Sequence, residues 1–120
     1  MATKADLAAR GRDWIAAWNA RDLERILALY DELCVMVSPN IVGEGLDLSG
    51  VLRGKAALRA YWRVALERQP DLRFDLLDVY ASPDSVVLRY RNQNGREVCE
   101  FLRYDPTGLI VQAAANHQLP

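Results

Sequence analysis

The sequence predicts an α+β fold in which helices come first and an antiparallel sheet follows. Apolar residues recur at helical spacing before residue 70, whereas period-two alternation and tight-turn sequences dominate after it. The 120 residues are 51% hydrophobic and 26% charged, which suits one globular domain, residues 1–120, with a modest core. The order ααβα followed by a meander is typical of the α+β class.

Three helices are predicted in the first part of the chain. The first begins after an N-cap at Thr3 and ends near Asn19, and its apolar stripe is Leu7, Trp14, Ile15 and Trp18. Asp22 caps the second, whose apolar residues are Leu23, Ile26, Leu27, Tyr30 and Leu33. The third spans Lys55 to Gln69, with one apolar side formed by Leu58, Tyr61, Trp62, Ala65 and Leu66.

A short strand and a long connection are expected between the second and third helices. The run "CVMVSP" at 34–39 has strand composition and stops at Pro39. Residues 39–53, "PNIVGEGLDLSGVLR", are rich in glycine and long for a connection. Connections of this length often form a functional rim or lid, and we expect one here.

The second half predicts an antiparallel meander. In "DLRFDLLDVYA" the alternation changes phase at Leu77, which indicates a β-bulge. Asn94-Gly95 is a strong signal for a two-residue hairpin, and "DPTG" at 105–108 predicts the next turn. The run "LIVQAAANH" at 109–117 completes the sheet.

Turn positions also predict which residues face each other across the sheet. With Asn94 and Gly95 as the loop, Arg89 lies directly opposite Glu100, and the next turn pairs Glu100 with Ala113. His117 is then four strand positions from Glu100, about 13 Å away. Both faces of this sheet are largely apolar, but helices can cover only one of them. We therefore expect a homodimer formed through the other face.

Composition excludes several classes of function. Fifteen basic and sixteen acidic residues give a net charge of −1, so nucleic acid is not an expected partner. The longest apolar run, "LCVMV", is too short to cross a membrane, and the N-terminus lacks the apolar segment of a signal peptide. Cys34 and Cys99 are expected to be buried thiols of a cytoplasmic protein rather than a disulfide or metal pair. With one histidine and no ligand spacing, neither a metal nor another cofactor is expected.

Several segments resemble a known superfamily. "WIAAWNARDLERILALYDELCVMVSP", "GVLRGKAALRAYW", "PDLRF" and "FLRYDPTGLIVQ" resemble the nuclear transport factor 2-like superfamily, and within it the SnoaL-like polyketide cyclases and bacterial ketosteroid isomerases. The resemblance covers roughly residues 7–117. It implies a cystatin-like, cone-shaped roll, with three helices packed on a curved antiparallel sheet around an apolar pocket.

The resemblance also implies roles for single residues. In ketosteroid isomerases a tyrosine on the first helix, an aspartate base before a proline and a protonated strand aspartic acid act together. Trp14 and Ser38 stand at the first two positions here, and only the strand acid remains, as Glu100. His117 replaces a pocket aromatic residue. Because serine cannot abstract a proton unaided, steroid isomerisation by the family mechanism is not expected.

Two interpretations of Glu100 remain open at this point. A carboxylate in an apolar strand can be a pocket acid or one half of a structural pair with Arg89, and the two are compatible, because an Arg–Glu pair at the bottom of the cone can bind a polar ligand head. In the first case Glu100 and His117 are the catalytic candidates, and the pocket binds a small hydrophobic, cyclic molecule. The candidate ligand-binding residues are Trp14, Trp18, Ser38, Tyr61, Trp62, Arg89 and Ala113. The alternatives are a non-catalytic ligand-binding or accessory subunit and a dimer that serves only protein interaction.

Overall fold

The computed structural model describes residues 2–43, 45, 47 and 49–120, and these residues form a mixed α+β structure. Its elements, in chain order, are α1 Lys4–Asn19, α2 Leu23–Leu27, β1 Tyr30–Val37, α3 Pro39–Gly43, β2 Val51–Arg53, α4 Lys55–Arg68, β3 Asp75–Ala81, β4 Ser85–Arg91, β5 Glu97–Tyr104 and β6 Ile110–His117. The predicted fold class is confirmed. The helices cover one face of a six-stranded sheet.

The first two helices begin where the sequence predicts. Thr3 forms a capping box with Asp6, and the Asp22 side chain accepts a hydrogen bond from the amide of Arg25. The second helix is shorter than predicted, since Tyr30 and Leu33 belong to β1. The carbonyl of Leu29 accepts a hydrogen bond from Ile110, and pairing with β6 begins at Tyr30. Contact with a distant strand therefore ends the helical pattern.

The predicted connection at 39–53 contains regular structure. Pro39 begins the short α3, and its missing N–H costs nothing at the first position of a helix. Val51–Arg53 forms β2, which pairs with β1. Glu44, Leu46 and Leu48 lie outside the described residues, and with them part of the predicted rim or lid.

The sheet is mostly, not wholly, antiparallel. Its strand order is β2-β1-β6-β5-β4-β3, and β1 runs parallel to β6. The parallel pair corrects the prediction of an entirely antiparallel sheet, because the long excursion through α3, β2, α4 and the meander lets β6 return beside β1 in the same direction. The bulge predicted near Leu77 is confirmed, since the β3–β4 register shifts between Leu76 and Asp78.

The β4–β5 hairpin has a different register from the predicted one. The amide of Asn92 donates to the carbonyl of Arg96 at 2.9 Å, so the loop has three residues, 93–95, and Gly95 has a φ of 78°. A third loop residue in the left-handed region is the common alternative to a two-residue turn. The extra residue moves the pairing by one position, so Leu88 lies opposite Glu100 and Arg89 lies opposite Cys99.

This one-residue difference reverses the face on which Arg89 lies. Arg89 projects from the outer face, where Nε donates to Asp78 at 2.9 Å and Nη1 to Glu97 at 2.6 Å. The predicted pair between Arg89 and Glu100 is therefore wrong. In the next hairpin, Glu100 pairs with Ala115, not with the predicted Ala113. The predicted register of this hairpin was therefore wrong by two positions, and a shift of two leaves every side chain on the same face of the sheet.

The core lies between the inner face of the sheet and helices α1, α2 and α4. The largest fully buried side chains include Leu7, Ile26, Tyr30, Leu58, Leu88 and Leu102. Within the part of the chain that the structure describes, no helix is long and apolar enough to cross a membrane.

Candidate functional site

A small cavity of about 100 Å³ lies between α1, α4 and the inner face of the sheet. Its walls are mostly aromatic, with polar groups from β1, β5 and β6. The lining residues that carry the following argument are Trp14, Trp18, Tyr30, Ser38, Tyr61, Trp62, Phe74, Tyr90, Glu100, Ala115 and His117.

The aromatic walls hold one another in place. The Trp62 ring lies 5.1 Å from Trp18 and 5.0 Å from Tyr30 between centroids, with both contacts edge-on. On the opposite side Phe74 and Tyr90 stack at 4.3 Å. Such arrangements suit the charge distribution of aromatic rings and make a wall of large, rigid apolar groups.

Glu100 is the buried acid of this cavity. Its residue is 3% exposed, and Oε2 has no hydrogen-bond partner among the described residues. Burial raises the pKa of Glu100 to about 8, because the ionised form would lose its hydration without gaining a cation. At pH 7 the side chain is mostly a neutral carboxylic acid, which can donate a hydrogen bond as well as accept one.

Tyr30 lies in the same cavity, close to Glu100. Trp14 Nε1 donates to the Tyr30 hydroxyl oxygen at 2.9 Å, in a buried contact that leaves the hydroxyl hydrogen free for another acceptor. Burial, and then the nearby Glu100 carboxyl, raise the pKa of Tyr30 well above its ordinary value. Tyr30 therefore stays protonated and remains a hydrogen-bond donor.

His117 stands nearer to Glu100 than the sequence indicated. It pairs with Val98, so it is a diagonal neighbour of Glu100 on the inner face, at a typical spacing of about 7–8 Å rather than 13 Å. Burial lowers the pKa of His117 below its ordinary 6.5, and the imidazole is neutral at pH 7. The two groups are thus an uncharged acid and an uncharged base on one wall.

Most of the predicted ligand-binding residues line the cavity. Trp14, Trp18, Ser38, Tyr61 and Trp62 do so, and their role in binding stays a prediction. Trp18 Nε1 is buried and has no acceptor among the described residues. Ser38 Oγ accepts a hydrogen bond from the amide of Asn40 at 3.2 Å.

Two predicted site residues lie elsewhere. Arg89 is on the outer face, and Ala113 is completely buried between its strand neighbours Met36 and Leu102, away from the cavity lining. Ala115 lines the cavity instead. Sequence reasoning missed Tyr30, Phe74 and Tyr90, although the alternation of Tyr90 with Leu88 could have placed it on the inner face once the register was known.

A second and much larger cavity, of about 940 Å³, adjoins the first. We call it the wide cavity, and we call the part lined by Arg63 and Arg96 the mouth of the site. The two cavities share the lining residues Asn40, Tyr61, Ala65, Gln69, Asn92 and His117. The small cavity is therefore the deep end of a larger concave site, and His117 stands at the boundary between the two parts. Among the described residues, no cluster of three or more histidine, cysteine or carboxylate groups could hold a metal ion.

Comparison with known proteins assigns the family. A model of the SnoaL-like domain matches residues 11–113. The chain belongs to the SnoaL-like family. No curated protein sequence matches it.

Solved structures agree with this assignment. A SnoaL-like protein of unknown function from Burkholderia thailandensis is 40% identical, with a TM-score of 0.91, and the match covers 99% of this chain and 100% of that one. A protein with a cystatin-like fold from Methylobium petroleophilum has a TM-score of 0.77 at 18% identity, covering 98% and 79%. TerC, co-crystallised with polyporic acid, has a TM-score of 0.75 at 16% identity, and the match covers 92% of this chain and 90% of that one. The last two show the fold alone.

Proposed function

We propose that this SnoaL-like protein binds a small hydrophobic, cyclic molecule in the aromatic cavity and carries out acid–base chemistry on it. The observation that supports this most is Glu100, a buried carboxyl group with an oxygen that no described residue hydrogen-bonds. Buried polar groups in native proteins nearly always have partners. A ligand oxygen in the cavity would supply the missing one.

The cavity offers a division of roles between its polar groups. Glu100 and Tyr30 are protonated at neutral pH and can donate hydrogen bonds to a carbonyl oxygen of the ligand. His117 is neutral and can accept a proton from the carbon next to that carbonyl. The electron pair of the broken C–H bond then moves to the oxygen, where the two donors stabilise the developing negative charge. Return of the proton to another carbon completes an isomerisation.

Cavity size restricts the ligand. A closed apolar cavity of about 150 Å³ accommodates one benzene molecule, and the deep cavity measures about 100 Å³. It can take at most one ring or a smaller group. A larger molecule would extend into the adjoining cavity of about 940 Å³, which is within the usual range for ligand sites.

A non-catalytic ligand-binding or accessory subunit is the second candidate. Two observations favour it. Ser38, at the position of the isomerase base, accepts the Asn40 amide and supports the start of α3, and Trp14 uses its only polar hydrogen on Tyr30. Serine is a poor base without a group to activate it, and Trp14 has no second polar hydrogen, so neither residue supplies the isomerase chemistry that the resemblance would suggest.

Proton exchange separates the two candidates. Cyclic ketones incubated with the protein in D₂O should exchange the hydrogen next to the carbonyl, as followed by proton NMR, and Glu100→Gln and His117→Ala should each slow exchange at least tenfold. Glu97→Gln is the matched control, because it makes the same change on the same strand but on the outer face. Ligand binding without exchange for any ketone would favour the non-catalytic candidate. The absence of binding would contradict both.

We also propose that the protein is a homodimer formed through the outer face of the sheet. An apolar row crosses this face along paired positions of five strands, and its members are Tyr80, Val87, Phe101, Ala114 and Val37. Tyr80 is 58% exposed and Val37 is 38% exposed. A second copy would remove these groups from water.

A further inference from the structure

Two arginines at the mouth of the site, Arg63 and Arg96, have no ion-pair partner among the described residues. Arg63 and Arg96 line the wide cavity from α4 and from the β4–β5 hairpin, and Arg68 lines it as well. Arg63 and Arg96 are exposed and form no ion pair with any residue that the structure describes. No carboxylate occurs among the described residues lining this cavity.

Most arginines elsewhere behave differently, although Arg10, Arg12, Arg21 and Arg53 also form no ion pair among the described residues. Six arginines, all outside the wide cavity, lie within ion-pair distance of a carboxylate among the described residues: Arg25, Arg59, Arg73, Arg89, Arg91 and Arg103. In a chain with sixteen acidic residues and a net charge of −1, two exposed arginines that line one cavity without an ion-pair partner among the described residues favour a locally positive surface. Such a concave positive region attracts anions.

Apart from the three arginines, the described residues that line the wide cavity are uncharged, and they include Pro39, Leu52 and Val64 as well as amide side chains. Amide side chains of Asn40, Gln69 and Asn92 line both cavities, and that of Asn94 lines the wide one. The large aromatic side chains are thus concentrated in the small cavity, whereas Arg63 and Arg96 line only the wide one. A ligand that matches this arrangement has an apolar ring at one end and an anionic group at the other.

We propose that the ligand is an amphipathic organic acid, whose ring enters the aromatic cavity and whose carboxylate lies between Arg63 and Arg96. This inference rests on the proposed function and narrows its ligand class. Guanidinium groups hold carboxylates through paired N–H donors, so the two arginines that line this cavity would orient the acid as well as attract it. The reacting carbon would then face Glu100 and His117 in one orientation.

The test compares acids with their neutral amides. Phenylacetate, phenylbutyrate and phenylhexanoate, each beside the corresponding amide, sample the distance between ring and anion. Affinities come from isothermal titration, and quenching of tryptophan fluorescence reports whether the ring reaches Trp14, Trp18 and Trp62. We expect at least one acid to bind about fivefold or more tightly than its amide at low salt, and the difference to shrink at high salt.

Two double variants assign the preference to the mouth. Arg63→Gln with Arg96→Gln should bring the acid to the affinity of its amide. Arg12→Gln with Arg25→Gln removes the same charge from the exposed surface of α1 and α2 and should leave the preference intact. Equal binding of acid and amide to the unmodified protein would overturn this inference, but it would still support binding of a cyclic molecule in the aromatic cavity. An acid preference that survives the mouth variant would overturn the role of the arginines. Binding of neither probe class would overturn the proposed function as well.

Discussion

At the scale of single residues, Glu100 combines burial with the absence of a neutralising cation among the residues that the structure describes. Its neighbours on the inner face are apolar or aromatic, and Arg89, the one cation that could have paired with it across the strand, projects to the other side of the sheet. Burial therefore acts on the carboxyl group without compensation, and the pKa of Glu100 rises to about 8 from an ordinary 4.5. The structural pair with Arg89 is therefore wrong, and the role of Glu100 as a pocket acid stays a prediction.

The raised pKa makes the stability of the protein depend on pH. Between pH 4.5 and 8 the unfolded chain releases the Glu100 proton while the folded chain retains it, so stability falls as pH rises. Glu100→Gln should remove this dependence, and its stability relative to the unmodified protein should increase by about 1.4 kcal/mol per pH unit through this window. Urea unfolding at pH 5, 6, 7 and 8 measures the difference. Arg89→Gln, on the outer face, should retain the original slope, and parallel profiles for Glu100→Gln and the unmodified protein would contradict a buried neutral acid.

The Trp14–Tyr30 hydrogen bond gives a second prediction at this scale. Tyr30→Phe leaves the buried Trp14 Nε1 without an acceptor and should lower the free energy of unfolding by about 1–3 kcal/mol. Trp14→Phe removes the donor, and the double variant should be less damaged than the sum of the two single ones by roughly 1 kcal/mol. Chemical denaturation of the four proteins measures the coupling. Additive losses would show that the contact contributes nothing of its own.

At the scale of elements, the β4–β5 hairpin decides which side chains reach the cavity. Its three-residue loop places Leu88, Tyr90, Val98 and Glu100 on the inner face, where a two-residue loop would have placed Arg89 beside Glu100. Gly95 allows this loop because its φ of 78° lies in the left-handed region that a Cβ disfavours. One backbone conformation in a surface turn therefore controls the composition of a buried site.

Gly95→Ala tests the strain that this loop would impose on another residue. No atom lies within 4 Å of the added Cβ, so the expected loss of about 1–2 kcal/mol in unfolding free energy comes from φ alone. Gly43→Ala is the control, since its Cβ also meets nothing within 4 Å and its φ is not positive. Thermal and urea unfolding of both variants make the measurement. Equal effects of the two substitutions would mean that the Gly95 conformation is not costly for alanine.

At the scale of the whole molecule, the sheet has two faces with different surroundings. Its inner face packs on α1, α2 and α4 around the cavity, and its outer face carries the apolar row of Tyr80, Val87, Phe101, Ala114 and Val37. Charged groups flank this row, with Asp78, Arg89 and Glu97 on one side. An apolar centre with a polar rim is the usual anatomy of a protein interface.

Phe101→Glu tests the proposed homodimer, because it places a charge in the middle of the apolar row. We expect the unmodified protein to have the mass of a dimer in sedimentation equilibrium and the variant to have that of a monomer at the same concentration. Leu33→Glu is the control, since Leu33 is 84% exposed and lies outside the row. Circular dichroism of both variants verifies that they remain folded. A monomer for the unmodified protein, or a dimer that persists in Phe101→Glu, would contradict an interface through this face.

The sequence by itself determined the α+β class, the limits of α1 and α4, the caps at Thr3 and Asp22, the β3 bulge and the family. The structural features depend on periodicity, capping and turn signals that act over a few neighbouring residues, whereas the family came from the resemblance of whole segments to known proteins. The tertiary structure alone decided that Tyr30 leaves the second helix for a strand, that β1 runs parallel to β6, and that Arg89 and Glu100 lie on opposite faces. Those outcomes depend on pairing between distant segments, where one extra loop residue reverses every side chain of a strand. The sequence identified Glu100 as the unusual residue of its strand, and only the fold showed that it is buried beside Tyr30 and His117 without a cation to balance it.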